Sequence, residues 1–143
     1  MHTPASITRL VGCALFVSGC ASTEMQCRAL SSGRYVHAEY ATAPADADQA
    51  AALREMFKEL RYPFEPCLRS QEGEVRVRLV LLRSGEIARV WLGRSSGVTE
   101  LDVEALRIVN NFRNQGKKLP WPKVAAADET QVVLEFPIEF RLR

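Results

Sequence analysis

The chain has 143 residues, of which 47% are hydrophobic and 25% charged, a composition ordinary for one globular domain with appendages. Its formal net charge of +2, with arginine and glutamate interleaved, excludes the strongly basic face that is typical of nucleic-acid binding. No apolar run approaches the ~20 residues that a membrane-spanning helix needs. Any membrane attachment must therefore come from something other than a spanning segment.

Residues 1–19 have the features of an export signal. A basic residue precedes an apolar stretch over 10–17, and Ser18-Gly19-Cys20 follows. Small residues before a cysteine resemble the lipobox of bacterial lipoproteins, which implies cleavage before Cys20 and lipidation of its thiol. A second match at Cys13 has no apolar core ahead of it, and an ordinary signal peptide or an uncleaved anchor is the alternative. Ala21, in place of aspartate, implies the outer membrane by resemblance to enterobacterial sorting signals.

Residues 20–46 are predicted to be a lipid-anchored tether with some local order. Ser31-Ser32-Gly33 is a turn signal, and Tyr35–Tyr40 has the composition of a short strand. Fully extended, the segment spans at most ~90 Å. The domain that follows is therefore expected to stay close to the membrane that holds its lipid.

Export would place Cys27 and Cys67 in an oxidising compartment, where a disulfide can form between them. Closing a loop of about 40 residues would contribute ~4 kcal/mol in the chain-entropy model. The sequence does not decide whether the two Cα atoms come close enough, so a bridge and two free thiols both stay open.

The folded domain is predicted over 47–143 and begins with a helix over 48–60, which ends before Pro63. A hairpin over 74–94 follows, with apolar and charged residues alternating along its first strand. A two-residue turn at Ser84-Gly85 predicts three inward-facing pairs across the hairpin. They are Leu81 with Ala88, Leu79 with Val90, and Val77 with Leu92.

The opposite face of the hairpin is less polar than a solvated face should be. It carries Val80, Leu82, Ile87 and Trp91, with Arg78 placed to stack across from Trp91. Either the segment around Tyr35–Tyr40 or a partner, including a second copy of the chain, would cover this face. The arginines on it are predicted to be solvated and to form cross-strand pairs. They are Arg76, Arg78, Arg89 and Arg94.

A second helix is predicted over 100–113, with Thr99 and Asp102 spaced like a capping box. The last strand is predicted over 130–142, with its even-numbered apolar residues facing inward. Pro137, which lacks a backbone donor, suits a strand at the sheet margin. The order α-β-β-α-β predicts an α+β fold, a three-stranded antiparallel sheet with two helices on one face and the first strand in the centre.

Six short elements, in order and at matching intervals, resemble the C-terminal domain of TonB proteins over most of 47–143. They are Tyr62-Pro63, Gly73-Glu74-Val75, Ser84-Gly85, Ser95-Ser96-Gly97, Leu101-Asp102 with Ala105, and Pro137-Ile138-Glu139-Phe140-Arg141-Leu142. The resemblance implies a module that receives an extended receptor segment as an added strand. It places partner contacts on the last strand and just before Tyr62-Pro63. The residues are Gln131, Val132, Val133, Leu134, Glu135, Phe136, Glu59 and Tyr62.

Two functions follow as hypotheses. The first is a periplasmic binding module in envelope transport that recruits a segment of an outer-membrane receptor or transporter. The second is a lipid-anchored adaptor without energy transduction, because the sequence shows neither the motor-engaging helix nor the Pro-rich spacer of full TonB proteins. Catalysis is not expected, since His37, the one histidine after Cys20, has no metal-ligand partner at motif spacing. The sequence predicts no cofactor and no metal, and its expected partners are an envelope protein and the membrane.

Overall fold

A computed structural model describes residues 23–32, 47–123 and 125–142 of the chain. No helix within these residues is long and apolar enough to cross a bilayer. The predicted signal, Cys20 and the segment Tyr35–Tyr40 lie outside the described residues. The described elements are α1 (23–31), α2 (Ala47–Phe57), α3 (Phe64–Leu68), β1 (Gly73–Leu82), β2 (Ile87–Arg94), α4 (Thr99–Asn114) and β3 (Gln131–Phe140).

The strands form one antiparallel sheet in the order β2-β1-β3, with β1 in the centre. The alternating apolar residues of β1 are fully buried, because α2 and α4 cover the face toward which they point. The ring of Phe57 on α2 meets that of Phe136 on β3 edge-on, with centroids 5.5 Å apart. The predicted α+β fold, with a central first strand and a last strand at the margin, is confirmed.

The hairpin loop has three residues, Arg83-Ser84-Gly85, where two were predicted. The N–H of Leu82 donates to the carbonyl of Glu86 at 2.9 Å, and the N–H of Gly85 donates to the carbonyl of Leu82 at 2.8 Å. Gly85 has a φ of +91°, the left-handed position that closes a three-residue hairpin loop. A side chain at this position would be strained, which explains the glycine.

A bulge at Ala88 changes one of the three predicted hairpin pairs. Val77 faces Leu92 and Leu79 faces Val90 as predicted, but Leu81 faces Ile87. The bulge places two residues of β2 opposite one of β1, which reverses the direction of the side chains between the bulge and the turn. Ile87 is therefore buried in the core and does not belong to the opposite face, where it was predicted.

The predicted capping box at the start of α4 is not formed, since Val98 is the N-cap and no side chain caps the helix. Asp102 turns back toward the preceding loop instead. Its Oδ1 accepts hydrogen bonds at 2.8 Å from the backbone N–H and the hydroxyl of Ser96, and its Oδ2 accepts one from the hydroxyl of Ser95. The turn after β2 is thereby fixed to the first turn of α4, where an acidic side chain also suits the helix dipole.

Part of the segment expected to be a tether is docked on the domain. In α1, Cys27 is buried, Leu30 is half-buried, and Arg28 lies over the ring of Phe64 at 5.5 Å from its centroid. Cys27 is joined by a disulfide to Cys67 of α3, with the Cα atoms 5.6 Å apart. The backbone N–H of Tyr62 also donates to the carbonyl of Leu30 at 3.2 Å. Over 23–32 the chain is therefore a helix held against the domain.

Candidate binding edge

β3 lies at the margin of the sheet. It pairs with β1 along its whole length, from Gln131 opposite Leu82 to Phe140 opposite Gly73. Within the described ranges, no strand pairs with its other side. Such a margin presents a row of backbone N–H and C=O groups that another chain can join.

The hydrogen bonds around β1 show which residues of β3 point outward. Leu82 bonds toward β2, so the alternate residues of β1, beginning with Leu81, bond toward β3. The N–H of Arg83 donates to the carbonyl of Thr130 at 3.2 Å, which continues this register by one residue. Even-numbered residues of β3 therefore bond to β1, and odd-numbered residues point away from it. We call the outward backbone groups of Gln131, Val133 and Glu135 the β3 edge.

Pro137 belongs to the same outward set, opposite Arg76 in the register. Its missing N–H would have pointed away from β1, so the sheet loses no hydrogen bond, as expected for proline in a marginal strand. The next outward N–H is that of Glu139. The β3 edge is therefore a short run of donors that ends before the proline.

The side chains along the β3 edge offer apolar surface on both faces of the sheet. Val133 is 60% exposed and faces away from the helices. Its neighbours Val132 and Leu134 face the helices and are only half-buried, although they pack against the core. An added strand could cover these residues with side chains of alternate direction.

The charge beside the β3 edge is already paired. Glu135 accepts hydrogen bonds from Arg78 and, at 3.4 Å, from Arg76, and Arg76 also donates to Glu74 at 2.9 Å. The hydrogen bond from Arg78, supported by Arg76, holds the pKa of the Glu135 carboxyl below its usual value. The cross-strand pairs predicted for the arginines of this face are therefore present for Arg76 and Arg78. The side chains of Glu135, Arg76 and Arg78 are all in contact with solvent. Their ion pairs therefore fix side-chain positions more than they stabilise the fold.

The predicted stacking of Arg78 on Trp91 is wrong, although the two residues are partners in the register. The side chain of Arg78 runs close over Gly93, where an added Cβ would meet its Cγ at 2.9 Å, and ends at Glu135. Arg89 covers Trp91 instead, at 5.3 Å from the ring centroid. Gly93 thus leaves room for Arg78 to bridge the sheet toward β3.

Comparisons with known proteins agree with this geometry. The family model of the Gram-negative bacterial TonB protein C-terminal domain matches residues 58–142. This chain belongs to the TonB C-terminal family. Protein TonB of Pasteurella multocida (strain Pm70) is 34% identical over 97 residues, which make up 68% of this chain and 35% of that protein. The chain therefore corresponds to a minor part of that relative's length.

Two NMR solution structures of the Helicobacter pylori TonB C-terminal domain share the fold. The longer form has a TM-score of 0.52 at 20% identity and covers 72% of this chain and 98% of that domain. The shorter form has a TM-score of 0.51 at 21% identity, with coverage of 67% and 95%. At this identity the two structures establish the fold alone. The family itself is shown by the family model and by the relative from Pasteurella multocida.

Tyr62, named from the TonB resemblance as a partner contact, lies in the core. Its side chain is 1% exposed, and its ring meets that of Phe140 edge-on with centroids 5.6 Å apart. Its hydroxyl donates to the carbonyl of Gln71. A strand added at the β3 edge would find no accessible surface on this side chain in the structure.

Glu59, the other predicted contact outside β3, is exposed near the end of α2. Its carbonyl accepts a hydrogen bond from Arg107 of α4 at 3.3 Å. Beside it, the buried carboxylate of Glu104 accepts from the backbone N–H of Arg61 at 2.9 Å and from Arg107. The sequence indicates Glu104 only as an acidic residue near the start of a helix, where it suits the helix dipole, and gives no signal for these contacts. It joins α4 to the segment that precedes Tyr62.

The described residues form no metal-binding cluster. They contain no cluster of three or more histidine, cysteine or acidic side chains that could hold a metal ion. Cys27 and Cys67 are bonded to each other in the structure, which removes them as nucleophiles in that state. Asp102 is engaged by two serines, as described above. The described surface does present the β3 edge, where backbone N–H and C=O groups point outward.

Proposed function

We propose that this protein is a periplasmic binding module of the TonB family that recruits an extended segment of an outer-membrane receptor or transporter by strand addition. The observation that carries the proposal is the β3 edge, whose outward N–H and C=O groups have no strand beside them among the described residues. Main-chain hydrogen bonds would supply affinity, and pockets for alternate side chains would supply selectivity. The protein acts by binding rather than by catalysis.

The side chains at the β3 edge indicate the kind of segment that would fit. Val133 is exposed on one face, and Val132 and Leu134 are incompletely covered on the other. An incoming strand with apolar residues on both faces would bury them, each buried methylene contributing about 0.8 kcal/mol. Since Pro137 interrupts the donors, the paired part of the segment would be short.

A second candidate is a lipid-anchored adaptor that holds an unrelated envelope protein without energy transduction. The docking of α1 favours it, because a helix bridged to the domain is unlike a long spacer. Recovery of proton-motor components with the purified protein would support the transport function. The adaptor should recover none.

The anchor is part of the proposal. Cys20 carries the lipid and Cys13 does not, so labelling cells with radioactive palmitate should mark the wild-type protein and the Cys13→Ala variant equally. The label should be lost in Cys20→Ala, because no other thiol follows a lipobox-like sequence with an apolar core. Palmitate retained in Cys20→Ala would remove the lipoprotein assignment.

Strand addition is tested by photo-crosslinking in the cell envelope. A photoreactive amino acid at Gln131 should capture the partner, and the same group at Val103 on α4 should not. Val103 is a suitable control, since it is exposed, as Gln131 is, but lies on a helix. The crosslinked peptide, sequenced by mass spectrometry, would distinguish a receptor or transporter segment from an unrelated partner.

The role of the backbone is isolated by two substitutions at Val133, each combined with the probe at Gln131. Val133→Pro removes one outward N–H from the β3 edge at a position like that of Pro137, so the fold should survive. We expect it to reduce capture about tenfold or more, because one hydrogen bond is lost and the ring obstructs the approaching strand. Val133→Ala keeps the N–H and should reduce capture only a few-fold. Equal capture in both variants would exclude strand addition at this edge.

A further inference from the structure

The position at which α1 is attached changes how far the domain lies from a lipid on Cys20. α1 contacts the domain beside Tyr62 and Phe64 and is bonded to it through Cys27 and Cys67. The chain therefore joins the folded unit at Cys27, well before α2 begins at Ala47. Residues between α1 and α2 form a closed loop and add nothing to the distance between Cys20 and the domain.

The difference in reach is large. From Cys20 to Cys27 is roughly seven residue steps, which span at most ~25 Å when fully extended. From Cys20 to Ala47 is about 27 steps, or roughly 90 Å. With the bridge closed, the point at which the domain is attached therefore stays within ~25 Å of its lipid.

We propose that the Cys27–Cys67 bridge sets the reach of the domain from its lipid and so limits the partner of the β3 edge to segments that lie close to the membrane carrying Cys20. This inference rests on the proposed function, both for the lipid and for the edge. It adds a class of partner to that function: an extended segment at the surface of the same membrane. A segment that lies across the periplasm is outside the reach of this domain.

The bridge, more than the contacts of α1, maintains this geometry. α1 has one buried residue, Cys27, and the half-buried Leu30 and Ser31 beside it, while Met25 is 69% exposed. An isolated helix shorter than about 12 residues is marginal in water. One backbone hydrogen bond from Tyr62 and the stacking of Arg28 on Phe64 also join α1 to the domain. Without the disulfide, α1 should leave the domain for much of the time.

The test compares two insertions of the same flexible segment in chain 20–143. A Gly-Ser segment of ~20 residues, which adds roughly 25 Å of average reach, is placed after Ser22 in one variant and after Ala41 in the other. The Cys20 thiol, the one left unpaired when the bridge is closed, is coupled to a maleimide phospholipid and inserted into phosphatidylcholine vesicles. Energy transfer is measured from a dye on an unnatural amino acid at Val103 to acceptor-labelled headgroups.

In the bridged protein, the insertion after Ser22 should reduce energy transfer about twofold or more, because it lies between the lipid and Cys27. The insertion after Ala41 should leave transfer unchanged, because it lengthens only the closed loop, whose entropy grows slowly with length. In a Cys27→Ser/Cys67→Ser background that retains its circular dichroism spectrum, the insertion after Ala41 should also reduce transfer.

The proposal is overturned if both insertions reduce transfer equally in the bridged protein, or if neither does. It is also overturned if, in the folded serine variant, the insertion after Ala41 leaves energy transfer unchanged. If the serine variant does not fold, the comparison of the two insertions in the bridged protein tests the proposal by itself. Because the lipid is attached chemically and no partner is present, these outcomes are independent of whether Cys20 is lipidated in cells or the β3 edge captures a peptide.

Discussion

Replacing Tyr62 with alanine should lower the free energy of unfolding by about 3–5 kcal/mol, the cost typical of removing a buried aromatic ring. Tyr62 is 1% exposed, its ring packs edge-on against Phe140, and its hydroxyl donates to the carbonyl of Gln71. The change would remove both the packing and the hydrogen bond. The effect is measured by urea unfolding followed by circular dichroism. The m-value of the variant should equal that of the wild type, because only the stability is expected to change.

Tyr62→Phe is the matched control for this substitution. It keeps the ring and deletes the hydroxyl, so it should cost about 1 kcal/mol, the net contribution of a hydrogen bond whose acceptor is part-buried. Neither substitution should change partner capture from Gln131 at temperatures where the variant is folded. If Tyr62→Ala were as stable as the wild type yet lost capture, Tyr62 would be a contact residue, as the TonB resemblance alone implied.

The inward face of the domain could be predicted from sequence because burial imposes a strict period on a strand. In the first part of β1, valine and leucine alternate with charged residues, and every residue of the strand predicted to face inward is buried. The same period in β3 identified Phe136, Ile138 and Phe140 as core residues. Pro137 identified the margin, because proline is tolerated where the missing N–H would point away from the neighbouring strand.

The length of the hairpin loop and the direction of Ile87 could not be predicted in the same way, because both change when the strand pairing shifts by one residue. Ser84-Gly85 fits both a two-residue and a three-residue loop, and the choice determines the side on which Ile87 lies. Two departures from regularity occur together in the structure: Gly85 lengthens the loop and Ala88 forms a bulge. The pairs beyond the bulge, Leu79 with Val90 and Val77 with Leu92, are therefore the same as in the simpler prediction.

The candidate site was predictable in position but not in detail. The TonB resemblance indicated 131–136 as a unit, whereas the geometry separates Gln131, Val133 and Glu135, which point outward, from the residues between them, which bond to β1. That division follows from hydrogen bonds at the hairpin turn, for which the sequence carries no local signal. The burial of Tyr62 could not be predicted, because a tyrosine beside a proline in a connecting segment gives no indication of burial.

The docking of α1 escaped prediction because its residue pattern gives no sign of a buried face. A helix with one buried and one half-buried apolar residue has no recognisable stripe, and Ser31-Ser32-Gly33 suggested a turn in a tether. The serines in fact lie at the end of the helix, where their hydroxyls donate to the carbonyls of Arg28 and Ala29 at 2.9 Å and 2.8 Å. The approach of the two cysteine Cα atoms, which are 40 residues apart in sequence, shows the contact in the structure.

Removing the disulfide with Cys27→Ser/Cys67→Ser should lower the free energy of unfolding by ~4 kcal/mol in the chain-entropy model, because the unfolded chain regains the freedom of a 40-residue loop. The m-value in urea should rise, since an unfolded chain without the cross-link exposes more surface. Met25→Ala, an exposed substitution on the same helix, should change stability by less than about 0.5 kcal/mol. Loss of stability in that control would mean that Met25, which is exposed in the structure, packs against the domain.

Whether the bridge holds α1 in place, or only stabilises a helix that would dock anyway, is decided by a double-mutant cycle with Leu30→Ala. In the bridged protein Leu30 is half-buried against the core, so its truncation should cost about 1 kcal/mol. In the serine variant α1 should already be undocked, and the same truncation should cost nothing measurable. The coupling energy between the two changes would then equal the packing of Leu30. Additive effects would show that α1 docks without its disulfide, and the reach of the domain would then depend on the helix contacts rather than on the bridge.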